Sequence, residues 1–215
     1  MARLAAVILA GGKGKRLGGV IKAGLVVGAA RLLDRVSVAL GDLPSPVLVA
    51  YGSVPLGQLA LRAGQIPVPD LCSDYEGPLA GLAGAVDWCA RMAEPAEYLL
   101  SVAVDTPFLP DDFAWRMLAA IGPADAVVAC HAGQEYPTNA IWRLRRLAAL
   151  PDRIAAGSAP RSLRRLAARL GATTLDWPES AGGNPFANVN TPDDLDMLGR
   201  RARDAADRRA RSGQV

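Results

Sequence analysis

Short apolar segments alternate along the chain with segments in which apolar residues recur at helical spacing. These patterns predict strands at residues 4–9, 47–50, 65–68, 98–104, 126–130, 139–142 and 173–175. They predict helices at residues 29–40, 55–63, 78–93, 110–120, 143–150, 161–170 and 191–210. Such alternation is typical of an α/β fold with a mostly parallel sheet covered by helices on both faces. Ligands of these sheets bind outside the carboxyl ends of the strands, so site residues are expected there.

The size and composition are those of one globular domain. The chain has 215 residues, of which 51% are hydrophobic and 21% charged, enough for a full hydrophobic core. We expect one domain over residues 1–199 and a basic helix end or tail over residues 200–215, because no apolar stripe continues beyond Leu198. The net charge of +3 is too small to indicate nucleic acid as a partner. No apolar stretch reaches the roughly 18 residues of a membrane span.

Cysteine and histidine usage argues against several kinds of site. Cys72, Cys89 and Cys130 are far apart and odd in number, which favours reduced thiols and a cytoplasmic location over a disulfide framework. His131 is the single histidine, so no Cys/His zinc spacing and no Ser-His-Asp or Cys-His nucleophile system is indicated. We expect His131 to lie on the surface.

The first predicted strand ends in a glycine-rich loop with basic side chains. Five glycines fall between positions 11 and 19, interleaved with Lys13, Lys15 and Arg16, and Lys22 follows. Backbone N–H groups of such a loop form a concave anion site, to which the cationic side chains add full charges. The loop matches neither G-x-x-x-x-G-K-[ST] nor a complete G-x-G-x-x-G. It predicts a phosphate-binding loop, the alternative being a flexible turn with solvated lysines.

Two later segments place oxygen ligands where strands end or helices begin. Asp105 directly follows the strand at residues 98–104, where a carboxylate suits Mg²⁺, although it could instead cap a turn. Thr191 and Asp194 fit a helix N-cap with a capping-box-like pattern. That pattern does not explain Asn188 and Asn190, two amides spaced to face the same way on an extended segment. In a third segment, Gly77-Pro78 starts a helix whose free N–H groups can meet an anion or a base.

Together these segments resemble the MobA family of molybdenum cofactor guanylyltransferases, which are nucleotidyltransferases with a three-layer Rossmann-like fold. The resemblance covers roughly residues 4–198, and its elements occur in family order. They are L-A-G-G-K-x-x-R-x-G-G-x-x-K from Leu9, G-P-L-A-G from Gly77, D-T-P-F-L-P from Asp105 and N-x-N-T-P-D-D-L from Asn188.

The resemblance implies transfer of GMP from GTP to molybdenum-molybdopterin, with Mg²⁺ as cofactor and release of pyrophosphate. Asp105 and Asn190 would hold the metal with Asn188 in support, and Lys22 and Arg16 would act with Asp105 on the phosphate oxygens. This requires Lys22 and Asp105 to lie within about 15 Å of each other. The residues implied to bind the nucleotide are Leu9, Ala10, Gly11, Gly12, Lys22, Asp70, Gly77, Pro78 and Asp105. Further partners implied are other cofactor biosynthesis proteins and acceptor molybdoenzymes.

The chain departs from the family pattern around the substrate pockets. Ile21 stands where the family usually has Asp, and Tyr136 replaces His in an H-P-T segment near the acceptor. Ala50 and Tyr51 stand at the end of the second predicted strand, where the family often has Asn. Residues 28–32 lack the proline of a family G-x-P-L turn. Two alternatives therefore stay open: a related nucleotidyltransferase using CTP or another acceptor, and a non-catalytic paralogue that binds nucleotide or cofactor. The arginines at 161, 164 and 165 either meet the pterin phosphate or form a solvated face.

Overall fold

Seven strands form one central sheet in the computed structural model, which describes residues 3–41, 43, 46–71, 77–178 and 182–212. The strands are β1 (Leu4–Leu9), β2 (Lys13–Gly14), β3 (Val20–Ile21), β4 (Val26–Val27), β5 (Ala30–Arg31), β6 (Val47–Ala50), β7 (Gln65–Val68), β8 (Tyr98–Ala103), β9 (Ala126–His131), β10 (Gln134–Arg143) and β11 (Thr173–Asp176). The α-helices are α1 (Leu32–Ala39), α2 (Pro78–Ala90), α3 (Phe113–Ala120), α4 (Leu144–Leu147), α5 (Leu150–Ala155), α6 (Leu163–Arg169) and α7 (Pro192–Ser212).

The central sheet is mostly parallel, with the order β11-β9-β10-β8-β1-β6-β7. β1 pairs in parallel with β6 and β8, and β6 with β7, so their carboxyl ends meet at one edge of the sheet. β10 alone runs antiparallel to both of its neighbours, because a tight turn at Ala132 and Gly133 returns the chain directly from β9.

Helices cover both faces of the sheet and divide the core into two layers. On one face, apolar residues of α1, α3 and α7 pack against the sheet, with Leu33, Phe113 and Leu198 among those buried. On the other face α2, α5 and α6 do the same, with Leu82 and Ile154 buried. The prediction of a three-layer α/β fold is therefore confirmed.

Some predicted elements differ from the structure. The helix expected at residues 55–63 is one 3₁₀ turn over Leu56–Gln58, and Ala60 has a φ of +46° that a continuing helix does not allow. The helix expected from residue 29 begins at Leu32, because Gly28, with φ +66°, turns the chain so that β5 pairs with β4. The helix expected over residues 143–150 is replaced by the short helices α4 and α5.

The C-terminal helix packs further along its length than we expected. α7 continues past residue 199, and Ala202 is buried against the turn between β4 and β5, where a Cβ on Gly28 would lie 2.8 Å from the Ala202 Cβ. Arg201 donates to the carbonyl oxygens of Asn184 (2.6 Å) and Gly183 (3.3 Å). The packed domain therefore extends at least to Ala202. None of the described helices is long and apolar enough to cross a membrane.

His131 is buried, and the prediction that it lies on the surface is wrong. It is 8% exposed, and its Nδ1 lies 2.8 Å from the carbonyl oxygen of Trp177, which follows β11. Cys89 and Cys130 are buried free thiols, and burial raises the pKa of Cys89 to about 11. Burial also raises the pKa of Cys130, and thiols with raised pKa values are poorly reactive. Cys72 lies outside the described residues.

Candidate active site

A cleft opens at the carboxyl ends of β1, β6 and β8, where the fold class predicts a ligand site. It encloses about 680 Å³ of empty space, part of it open to solvent. Glycines, one lysine and two carboxylates are among the residues that line it. The lining residues are Leu9, Gly11, Gly12, Lys22, Ala50, Asp70, Gly77, Pro78, Gly81, Ala103, Val104, Asp105, Thr138 and Asn188.

Three polar side chains from distant segments meet at this cleft. The Lys22 Nζ donates to Asp105 Oδ2 and to Asn190 Oδ1, both at 2.6 Å. The Lys22 and Asp105 side chains are only 12% and 16% exposed, so water screens their ion pair weakly. The separation of Lys22 and Asp105 is thus far below about 15 Å, the upper limit for two residues that share one phosphate chain.

The glycine loop folds into a hairpin that returns Lys22 to the end of β1. β2 pairs with β3 through Lys13 with Ile21 and Gly14 with Val20. Gly18 and Gly19 make the turn between these strands, with φ values of +78° and +80° that a side chain would strain. The next residue after Lys22, Ala23, is fully buried, so the Lys22 backbone is anchored beside the cleft.

Backbone hydrogen bonds fix the two oxygens that Lys22 contacts. Val104 donates to the Leu9 carbonyl (3.3 Å), which extends the β1–β8 pairing up to Asp105. The Val189 N–H donates to the Asp105 carbonyl (3.0 Å), so the segment from Asn188 to Asn190 is attached directly to the Asp105 backbone. Asn188 also accepts from the Thr106 hydroxyl at 3.4 Å and lines the cleft.

A capping box at the start of α7 orients Asn190. The Asp194 carboxylate accepts from the N–H groups of Asn190 (3.0 Å) and Thr191 (2.9 Å), and the Thr191 hydroxyl accepts from the Asp194 N–H (3.1 Å). Burial alone would raise the pKa of Asp194, but the bonds from Thr191 and Asn190 outweigh it and leave this pKa below its ordinary value. The predicted capping pattern is confirmed.

Replacing Asp194 by asparagine should destabilise the protein by about 1 kcal/mol at pH 7. Because the folded-state pKa of Asp194 lies below its unfolded value of about 3.9, its contribution is fully present above that value. It is lost as the pH falls through the folded-state pKa. Thermal melts of both proteins between pH 7 and pH 3 measure the difference, with Asp193→Asn, an exposed neighbour in the same first turn, as control. A difference that stays constant down to pH 3 would contradict this assignment.

The opposite end of the cleft is formed by close backbone packing around Asp70. A Cβ on Gly81 would lie 2.9 Å from the Ala50 Cβ and 3.3 Å from Asp70 Oδ1. A Cβ on Gly11 would lie 2.9 Å from the Gly52 Cα, so only glycine allows this approach. Burial raises the pKa of Asp70, and a hydrogen bond from the Gly52 backbone partly opposes the shift. A partly desolvated carboxylate in this position favours a ligand that brings hydrogen-bond donors.

The predicted site residues are not all at the cleft surface. Ala10 lies beneath it, fully buried, and its N–H donates to the Ala50 carbonyl at 2.7 Å and is not free for a ligand. Arg16 lies exposed in a 3₁₀ turn of the loop and is not among the residues lining the cleft. The side chains of Lys13 and Lys15 lie outside the described parts of the structure.

Sequence reasoning missed Asn139, a buried amide beside the cleft. Its Oδ1 accepts from the Ala103 N–H at 2.9 Å, and its Nδ2 is buried without a partner in the described part of the molecule. The pairing of β10 with β8 ends at Ala140, and its pairing with β9 shifts between Tyr136 and Ala140. The Asn139 side chain therefore takes the place of a ladder bond where β10 leaves the sheet, and Thr138 reaches the cleft. No local pattern in the sequence signals this role.

Aromatic residues pack beside the same part of β10. The Tyr136 and Phe186 rings lie 5.1 Å apart, and the Tyr136 hydroxyl accepts from Asn184 Nδ2 at 2.8 Å. The ring contact with Phe186 and the hydrogen bond from Asn184 thus fix the position of Tyr136, the residue that replaces the family histidine. Of the three arginines left open by the sequence, Arg164 pairs with Glu135 at 2.9 Å on the exposed surface.

The groups around Lys22 fit a magnesium ion. An Asp carboxylate and an Asn amide oxygen are hard oxygen ligands, and Mg²⁺ typically takes one or two protein ligands while phosphates and water complete its shell. Within the described ranges, no group of three or more His, Cys, Asp or Glu side chains could hold a metal. Asp105 and Asn190 place two such oxygens together, because both accept hydrogen bonds from the same Lys22 ammonium.

The chain is similar in sequence to proteins of known name. The model of a family described as the MobA-like NTP transferase domain matches residues 6–174. Curated relatives include the molybdenum cofactor guanylyltransferase of Acidiphilium cryptum, 36% identical over 197 residues, which cover 90% of this chain and 92% of that protein. The protein of that name from Rhodobacter capsulatus is 37% identical over 194 residues, covering 90% and 93%.

Solved structures of nucleotidyltransferases share the fold. Molybdopterin-guanine dinucleotide biosynthesis protein A from Archaeoglobus fulgidus has a TM-score of 0.67 at 20% identity, covering 92% of this chain and 97% of that one. The 2-C-methyl-D-erythritol 4-phosphate cytidylyltransferase from Thermus thermophilus has a TM-score of 0.64 at 20% identity, covering 94% and 99%. Both structures thus share the fold of this chain.

Proposed function

The chain belongs to the MobA-like NTP transferase family, and from that premise we propose how its cleft binds GTP and transfers GMP to molybdenum-molybdopterin. The reaction gives the molybdopterin guanine dinucleotide cofactor and pyrophosphate. One observation carries the assignment of the site. Lys22, Asp105 and Asn190, which the sequence separates by 83 and 85 positions, converge with hydrogen bonds of 2.6 Å at the mouth of a glycine-lined cleft.

Asp105 and Asn190 are the proposed ligands of Mg²⁺. Asn188, hydrogen-bonded to Thr106, holds the adjoining segment in place. When bound, Mg²⁺ supplies positive charge that neutralises the phosphate oxygens at the reacting centre. Lys22 acts on the same oxygens from the glycine loop, and Arg16, which is exposed at the loop, attracts the phosphates as they enter.

The chemistry is an in-line displacement at the α-phosphorus of GTP. A phosphate oxygen of the acceptor forms a bond to this phosphorus, the bond to the β-phosphate oxygen breaks, and pyrophosphate leaves. The acceptor phosphate is already ionised, so this chain needs no general base. The barrier is mainly repulsion between anions, which explains a site built from cations, N–H groups and two metal-binding oxygens.

The base occupies the end of the cleft near Asp70 in this proposal. Guanine carries N1–H and N2–H donors side by side, so the half-buried Asp70 carboxylate can accept both, whereas cytosine offers one amino group. Leu9, Ala50 and Gly81 supply apolar contacts to the ring, and Gly77-Pro78 brings the start of α2 to its edge. Guanine is thereby favoured without the side-chain amide that the family often places near Ala50.

The acceptor enters beside β10 in this proposal. Thr138 lines the cleft there, and Tyr136 and Asn184 form the adjoining wall. Proteins that deliver molybdopterin or receive the finished cofactor are the expected partners. The buried free thiols of Cys89 and Cys130 suit the reducing cytoplasm, where these proteins and GTP occur.

Incubation of the purified protein with GTP, Mg²⁺ and molybdopterin should release pyrophosphate, which a coupled phosphate assay measures. In calorimetric competition GTP should displace CTP, because CTP cannot offer Asp70 two adjacent donors. Release with CTP at an equal rate would favour the cytidylyl alternative. Tight GTP binding with no release would identify a non-catalytic paralogue.

A further inference from the structure

The Lys22 ammonium lies between the two oxygens that the proposed function gives to the divalent ion. Its Nζ is 2.6 Å from Asp105 Oδ2 and 2.6 Å from Asn190 Oδ1. The Lys22 and Asp105 side chains are largely buried, so water competes little for either oxygen. The oxygen pair is thus already occupied by a cation that belongs to the chain itself.

Two cations cannot use this oxygen pair at once without strong repulsion. Mg²⁺ binds oxygen at 2.0–2.1 Å and demands near-ideal octahedral geometry. With Lys22 still in hydrogen-bond contact with the same two atoms, the ammonium and the ion would be less than about 5 Å apart in a weakly screened site. The two segments that carry these oxygens cannot easily move apart to relieve the repulsion, because Val189 is bonded to the Asp105 backbone and Asp194 to that of Asn190.

We infer that Lys22 and the divalent ion compete for the Asp105–Asn190 oxygens, and that the phosphates of the nucleotide resolve the competition. This inference rests on the proposed function. Phosphate oxygens offer Lys22 a new anionic partner, and its flexible four-carbon stem can follow them while the backbone stays fixed at the buried Ala23. The site therefore accepts the metal together with the triphosphate and resists the free ion.

The competition has a thermodynamic consequence that can be measured without turnover. Nucleotide and metal must strengthen each other's binding by the same factor, because the coupling between two ligands is reciprocal. Removing the Lys22 charge should therefore have opposite effects on the two ligands. It weakens binding of the triphosphate, as any phosphate-binding lysine would, but it strengthens binding of the ion alone.

Titration of the nucleotide-free protein with Mn²⁺, followed by the electron paramagnetic resonance signal of the free ion, tests this. Lys22→Met and Lys22→Gln should each bind Mn²⁺ about tenfold or more tightly than the wild type. Lys22→Arg, which keeps the charge, should bind it as weakly as the wild type. Adding GTP should tighten Mn²⁺ binding to the wild type more than to Lys22→Met.

The double variant Lys22→Met/Asp105→Ala locates the effect. It should lose the gain in Mn²⁺ affinity, because the ion then lacks its carboxylate ligand. A Lys22→Met protein that binds Mn²⁺ no more tightly than the wild type, or a gain that survives in the double variant, would overturn the inference. Failure of the wild type to release pyrophosphate would instead remove the proposed function, and the Mn²⁺ titration does not depend on that result.

Discussion

Replacing Asp105 by alanine should lower the rate of pyrophosphate release from GTP by about a thousandfold. Asp105 supplies the only carboxylate among the described groups that contact Lys22, and it is a proposed ligand of the ion. Its loss removes that proposed ligand and also removes the ion-pair partner of Lys22. Steady-state rates at saturating GTP and Mg²⁺ separate the loss of rate from a loss of binding.

Two further variants make the result interpretable. Asp111→Ala removes an exposed carboxylate in the segment that leads to α3 and should keep the wild-type rate. Asp105→Asn keeps the size and shape of the side chain but lacks its charge, so it should be nearly as slow as Asp105→Ala while melting closer to the wild type. An Asp105→Ala protein that retained more than a tenth of the wild-type rate would exclude a role for this carboxylate in catalysis.

Replacing Gly84 by alanine should destabilise the protein by about 3 kcal/mol. A Cβ on Gly84 would clash with the Pro69 carbonyl oxygen, so α2 or the end of β7 must move. For a chain of this size the melting temperature should fall by roughly 6–12 °C. Asp70 directly follows Pro69, so the KM for GTP should rise as well.

Gly199→Ala is the matched control, because Gly199 also lies within a helix. The nearest atom to a Cβ there is the flexible Arg203 Nη1, at 3.6 Å. The substitution should raise stability by up to about 1 kcal/mol through helix propensity. Equal melting temperatures for Gly84→Ala and the wild type would show that α2 is not held against Pro69 as closely as the structure indicates.

The parts of the fold that the sequence predicted well have a strong local signal. The strands at residues 4–9, 47–50 and 65–68 have the predicted bounds. The first two are short, wholly apolar runs followed by turn residues, which is a strong local signal. The convergence of Lys22, Asp105 and Asn190 was predictable for a related reason. Parallel strands bring their carboxyl ends together, and the family motifs identified which polar residues stand there.

The elements that the sequence did not predict depend on tertiary contacts. The first half of β10 is polar and contains Pro137, so it lacks a strand pattern and is ordered by pairing with β9. His131 follows an apolar run as a surface residue would, yet Trp177, 46 residues later, covers it. Asn139 fills a missing ladder bond that only the assembled sheet creates. In each case the deciding partner is remote in sequence.

The packing of Ala202 against Gly28 sets a limit on how the chain can be shortened or joined to a reporter. Asn190 lies immediately before the first turn of α7 and Ala202 in its third turn, so the helix connects the Asn190 side chain, which contacts Lys22, to the loop that follows Lys22. A fluorescent protein fused after residue 208 leaves that connection intact. Truncation after residue 199 removes it, together with the Arg201 contact to the carbonyl oxygen of Asn184, whose side chain bonds Tyr136.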